Sequence, residues 1–331
     1  MPNFVKMEPV LGFAPKSVSI SNSEIQTFKG CRRRWMLGTY YGLQPNDKVM
    51  SGPLPLGTRI HNALEVFYRD GAHPVDEYNR LQRIDAQLFA QTSEATDEAK
   101  VKKFDTEAEL GRRMIEGYLE WLEEENRDAD IEYVSQEEKL DFRLKGFDDR
   151  VELIAKIDAR VLRRSDGSRA MMDHKTAAAS NFNDYLKYAH HSEQLMHYVM
   201  LENLNSQEGD SPVDGGIYNI LKKVMRTPKA NPPFYARIDT RFNKKTMESF
   251  WYRTLGTVRD IMSVRDALDA GEDNRMVAYA TQKMDWHCGT CPFFKGCFML
   301  DDGSDAEGYF TDNFHQDNPN ARYADDESES D

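Results

Sequence analysis

AKIDARVLRRSDGSRAMMDHKT, residues 155–176, holds two runs of strand-forming residues separated by Asp166 and Gly167. Asp-Gly between such runs marks a tight turn, so the spacing predicts consecutive strands over 151–164 and 168–175. A third run at 131–143 precedes them, and the three are expected to form an antiparallel meander. Asp158 falls on one strand, and Asp173 with Lys175 on the next. Residues two apart on a strand share a face of the sheet. Two carboxylates held side by side repel unless a cation lies between them, and hard oxygen ligands select Mg2+ or Mn2+. A lysine beside such an ion can orient or deprotonate a water and stabilise charge on a phosphate oxygen. In outline this is a site for phosphodiester hydrolysis, although Asp and Lys also decorate the open side of many strands.

Outward from this stretch, the chain upstream is predominantly helical. Ser and Asn caps precede Ile25 and Phe28, so a short helix over 19–29 should run into Cys31 and Trp35. Apolar spacing predicts further helices at 57–69, 78–92 and 107–125. On the first of these, His61 is a candidate nitrogen ligand, and Glu65 and Tyr68 follow it at helical spacing. Downstream, a helix over 192–204 carries Gln194 and Tyr198 four apart, facing one way. Strands near 213–222 and 234–239 flank the basic, Pro-containing RTPKANPP, and a long helix over 244–270 leads into HCGTCPFFKGC. The expected class is α/β (α+β), a central mixed sheet with helices packed on it.

The four cysteines are Cys31, standing 257 residues before the next, then Cys288, Cys291 and Cys297. Bound to one centre they would tie the two ends of the chain together. Structural zinc sites pair their ligands as two short knuckles. One distant cysteine followed by C-x2-C-x5-C fits better an iron–sulfur cluster wrapped by one irregular loop. Zinc and unrelated buried thiols are the other readings. No signal peptide, no bilayer-length apolar run and a mean hydropathy of -0.71 predict a cytoplasmic protein away from membranes.

Net charge is -13, but residues 301–331 carry eleven Asp or Glu against one Arg. That segment reads as a disordered acidic tail, and the body is then close to neutral. Within the body, Arg32–Arg34, then Lys222, Lys223, Arg226 and Lys229, then Arg237, Arg241, Lys244 and Lys245 form basic clusters suited to a phosphate backbone. No G-x-x-x-x-G-K-[ST] motif is present, so any nucleotide-driven motor must be a separate chain.

Taken in order, Cys31 with Arg34 and Trp35, Gly57 with His61, Ile157 with Asp158, Asp173 with Lys175, Gln194 with Tyr198, and the last three cysteines make a specific set. The set resembles the RecB-like branch of the PD-(D/E)XK nuclease superfamily over residues 17–300. Its layout is similar to the iron–sulfur exonucleases of the fourth CRISPR-associated (Cas) protein family, AddB-type nuclease domains and stand-alone phage exonucleases. The resemblance implies a restriction-endonuclease-like core at about 131–240, a helical part at about 57–126 and a cysteine loop closing one domain, 17–300, after an extension at 1–16. It implies that His61, Asp158, Asp173 and the backbone carbonyl of His174 bind Mg2+ or Mn2+, and that Lys175 is the catalytic lysine. Gln194 and Tyr198 would contact DNA or the scissile phosphate region, with Arg34, Lys222, Lys223 and Arg226 as further DNA contacts. Cys31, Cys288, Cys291 and Cys297 would hold a 4Fe–4S cluster that staples the ends. Ala155 stands where the family often has Gly.

The implied function is a metal-dependent DNA exonuclease acting on single strands or duplex ends in recombination, of phage or mobile-element type. A helicase, annealing protein or integrase would be its partner. The alternatives are a CRISPR-adaptation nuclease, a DNA-binding or assembly factor that keeps the fold without the activity, and a zinc-stapled regulator.

Overall fold

A computed structural model describes residues 18–46, 51–209, 211–281 and 286–323. The proposed extension at 1–16 lies outside them. The described strands are β1 (Val18–Ser21), β2 (Leu43–Pro45), β3 (Ile131–Arg143), β4 (Val151–Arg163), β5 (Arg169–Ala177), β6 (Val213–Lys222), β7 (Tyr235–Arg241) and β8 (Phe314–Gln316). The chain divides into two compact units, one of residues 1–48, 141–155 and 248–331, the other of 49–140 and 156–247.

In the second unit β4, β5, β6 and β7 are successive neighbours and β3 pairs with β4. The β4–β5 and β6–β7 pairs are antiparallel, whereas β5 and β6 run parallel. The sheet is therefore mixed, and strand alternation gives it two distinct faces. On one face Ala159, Val161, Ala170, Met172 and Ile217 make a small apolar cluster. Next to it on that face, Leu221 and Tyr235 pack with Ile60 and Leu64 of helix Pro53–Asp70 and with Met114, Ile115 and Tyr118 of helix Glu98–Glu124. The other face carries helix Glu193–Asn205, where Leu195 lies so close to Gly216 that a Cβ there would approach it to 2.9 Å.

Local signals set the helix ends. Pro53 opens its helix, where a missing N–H costs nothing, and Gly71 closes it at φ 68°. Helix Pro74–Phe89 starts four residues before the expected 78 because Pro74 occupies its first turn. Asp97 accepts from the N–H groups of Ala99 and Lys100, so the next helix begins at Glu98 and not at 107. Its extra turns are held by Phe104 stacked on Phe89, ring centroids 4.5 Å apart. Helix Ala179–Tyr188 was not legible in the sequence, since it buries only Phe182 and lacks a side-chain cap.

In the first unit β1 pairs in parallel with residues 151–154 of β4, and Ala155 is buried just beyond. Helix Asn22–Gly30 ends at Cys31, which caps Arg32–Trp35. Trp35 is fully buried and its Nε1–H donates to Glu24 Oε1 at 2.9 Å. The expected disorder beyond Asp301 is corrected by residues 301–323. Helix Ala306–Asn313 and β8 fold back, β8 pairing antiparallel with β2 from Leu43↔Gln316 to Pro45↔Phe314. Phe310 and Phe314 pack with Phe293. Aromatic burial outweighs the local acidic charge there. Residues 324–331 lie outside the described residues.

Candidate active site

The β4–β5 ladder runs from Leu162↔Arg169 to Ala159↔Met172, and the next residues in that register are Asp158 and Asp173. At this point the backbone N–H of His174 donates to Asp158 Oδ2 at 2.6 Å. The end of the ladder thus brings the two carboxylates to adjoining strands. Asp173, at 1% exposure, is among the most buried charged groups of the chain. Lys175 Nζ lies 2.6 Å from Asp173 Oδ2. Gln194 Nε2 donates to Asp173 Oδ1 at 3.1 Å and to the Tyr198 hydroxyl at 2.7 Å, and Tyr198 O–H donates to Asp173 Oδ1 at 3.3 Å.

His61 Nδ1 stands 3.4 Å from Asp158 Oδ2. Gly57, one turn earlier, lets this helix close on β5, since a Cβ would lie 3.2 Å from Thr176 Oγ1. The structure therefore gathers His61, Asp158, Asp173, His174, Lys175, Gln194 and Tyr198 in one place. Helix Glu193–Asn205 is anchored by Glu202, whose carboxylate takes Arg160 at 2.9 Å and Arg169 at 2.5 Å.

Charge is unevenly distributed over the site. Burial raises the Asp158 carboxyl, but the charge and hydrogen bond of His61, with His174 and Lys175 behind it, outweigh burial and hold it well below the usual range. Asp173 goes the other way: burial and the neighbouring Asp158 push it up against the pull of Lys175. Burial lowers Lys175, yet Asp173, Tyr218 and Asp158 raise it further, so it is an ammonium. His61 is likewise raised by Asp158 in spite of burial.

Sequence reasoning missed the support behind His174. Asn219, paired with it in register, donates from Nδ2 to His174 Nδ1 at 2.8 Å and to the Tyr118 hydroxyl at 2.8 Å. Tyr68 stacks on His174 with centroids 5.6 Å apart and on Tyr133 at 3.9 Å. Burial, with His61 and Arg237 nearby, lowers His174 to about 3, so its ring is neutral. The signal available was Asn219 itself, a polar residue inside the apolar run GGIYNILK.

Among the described residues no group of three or more His, Cys, Asp and Glu side chains converges as a ready ion-binding cluster. The carboxylates are turned instead to Lys175, His61 and the His174 N–H. Asp173 Oδ2 nevertheless accepts no directional hydrogen bond despite its burial and its ion pair. A buried carboxylate oxygen whose close partner is a displaceable lysine, beside a second carboxylate and an imidazole, makes a donor set that fits Mg2+ or Mn2+.

The four cysteines all belong to the first unit and none is in a disulfide. Burial raises the thiols of Cys291 and Cys297, and each is also raised by the charge of Cys31. Arg33 Nη1 donates to the Cys297 carbonyl at 3.3 Å and approaches its Sγ at 3.6 Å while pairing with Asp301 at 2.8 Å.

Most of the basic clusters have partners. Arg226 pairs with Glu120 at 2.6 Å, Arg237 with Asp128 at 2.7 Å and Arg241 with Asp214 at 2.9 Å. Lys222 Nζ donates to the Asn231 carbonyl at 3.0 Å and sits over the Phe182 ring. Lys223 is lowered by burial. Arg34 is exposed. No helix among the described residues is long and apolar enough to cross a membrane.

A family model described as "PD-(D/E)XK nuclease superfamily" matches residues 19–298. The chain belongs to that superfamily, whose members are metal-dependent nucleases that generally use Mg2+ or Mn2+. No curated protein matches it. Among solved structures it is similar to one described as "Crystal structure of SSO0001", with 16% identity over 62% of this chain and 76% of that one, at a TM-score of 0.28.

Proposed function

We propose that this chain is a DNA exonuclease of the RecB-like branch, working on single strands or duplex ends, with a 4Fe–4S cluster on Cys31, Cys288, Cys291 and Cys297. The observation that carries the catalytic part is the juxtaposition of Asp158, Asp173 and Lys175 where the β4–β5 ladder ends. His61, Asp158, Asp173 and the His174 carbonyl would hold Mg2+ or Mn2+. Such an ion, when bound, polarises the scissile phosphate and offsets the charge developing on it.

The protein's own groups have separable tasks. Lys175 would donate to negative charge on the phosphate, or orient or deprotonate the attacking water. Gln194 and Tyr198 fix Asp173 Oδ1, so that Oδ2, which Lys175 holds here, is the oxygen a metal ion would take from the lysine. The motif order, with Cys31 near one end and C-x2-C-x5-C near the other, is what supports a common centre for the four cysteines. Recombination of phage or mobile-element DNA, beside a separate helicase, annealing protein or integrase, is the proposed context, and CRISPR adaptation is the alternative that the same motif order fits.

Anaerobically purified protein should be brown and should degrade end-labelled linear single-stranded DNA in Mn2+ while sparing circles. Cutting of circles would make it an endonuclease. A colourless protein containing zinc would replace the iron–sulfur assignment.

A further inference from the structure

We infer that a cavity beside Lys175 receives one unstacked nucleobase of the strand being cleaved, which rests on the nuclease reading above. The cavity measures about 370 Å³ and is lined chiefly by Asn181, Asp184, Tyr185, Tyr188, His191 and Tyr218. Its back wall is shared with the catalytic site. Tyr218 pairs in register with Asp173, and Lys175 Nζ lies 5.8 Å from the centre of its ring. Tyr185 meets the same ring edge-on at 5.7 Å. Ser192 hydrogen-bonds the Tyr218 hydroxyl and also caps the helix carrying Gln194 and Tyr198. A strand with its phosphate at Lys175 therefore has this cavity one side chain away.

The wall selects a base over a phosphate. Its lining contains no Lys or Arg, and Asp184 would repel an anion. Tyr185, Tyr188 and the His191 imidazole offer aromatic surface, while Asn181 and Asp184 offer hydrogen-bonding groups for a base edge. Ligand pockets start near 300 Å³, so there is room for one nucleobase. Tyr188, 50% exposed, is the most exposed of the three tyrosine rings, and Lys187 Nζ stands over it at 4.8 Å, a cation that can swing to the neighbouring phosphate when a base takes the ring. A duplex keeps its bases stacked inside, so the cavity is a reason for the site to take single strands.

The test uses full-length, cluster-loaded protein with Mn2+. Tyr188→Ala should raise KM for linear single-stranded DNA roughly 10-fold, the loss from removing one stacking ring, with kcat falling less and Tyr188→Phe restoring KM. In Lys175→Ala protein, which should not cleave, 2-aminopurine near the strand end should be quenched, and adding Tyr188→Ala should relieve the quenching. Unchanged KM in both Tyr185→Ala and Tyr188→Ala, with wild-type cleavage intact, would overturn this inference alone. If wild-type protein cleaves no DNA, the nuclease reading falls and the base site with it.

Discussion

Lys175 Nζ lies 2.6 Å from Asp173 Oδ2, the two side chains sharing one face of β5 and both largely withdrawn from solvent. This pair holds the lysine charged and occupies the carboxylate oxygen that a divalent ion would take. Ion binding and the Lys175–Asp173 pair therefore compete. Lys175→Ala should bind Mn2+ more tightly than wild type, measured by calorimetry, even while it fails in cleavage. Equal binding would show no competition, and clearly weaker binding would show that the lysine helps to hold the ion.

In the proposed site Tyr198 would act through Asp173, to which its hydroxyl donates. Tyr198→Phe keeps the ring in its buried place and deletes the hydroxyl that donates at 3.3 Å. A hydrogen bond to a charged group contributes about 1.5–3 kcal/mol, so cleavage should drop roughly 10-fold. The melting temperature should stay within a few degrees of wild type. A variant as active as wild type would assign Tyr198 to packing alone.

Glu202 sets the angle of the helix that carries Gln194 and Tyr198. With its side chain 8% exposed and facing both Arg160 and Arg169, Glu202→Ala leaves Arg169 without its carboxylate and Arg160 with Glu138 alone. The cost expected from breaking a buried pair is about 3 kcal/mol, read as a shift in urea midpoint. Because Glu138, with its side chain 45% exposed, also pairs with Arg160, Glu138→Ala should cost far less.

His174 makes stability depend on pH. Its folded value is near 3 while that of an unfolded histidine is near 6.5, so between these values the unfolded state binds the extra proton. The stability it contributes is complete above about pH 6.5 and is lost as pH falls toward 3, with a slope approaching about 1.4 kcal/mol per pH unit. His174→Gln should flatten that part of the urea-midpoint profile. An unchanged slope would show that His174 is not the buried neutral ring described.

The meander was legible because its evidence is local: Asp166-Gly167 marks the turn, and period-two spacing puts Asp158, Asp173 and Lys175 on their strands. The Tyr68–His174–Asn219 group was not, since its members meet only after β5 and β6 pair and a helix closes over them. Composition misled beyond Asp301, where buried Phe310 and Phe314 are scattered among acids. It also left open the fate of Arg226, Arg237 and Arg241, because a basic run does not show that Glu120, Asp128 and Asp214 will face it.

The most direct test compares wild type and Lys175→Ala on end-labelled linear single-stranded DNA in Mn2+, with DNA binding measured in parallel. Loss of roughly 1,000-fold in cleavage rate with binding retained within a few-fold is the result predicted. Cleavage by Lys175→Ala at a rate near wild type would contradict the assignment of the site.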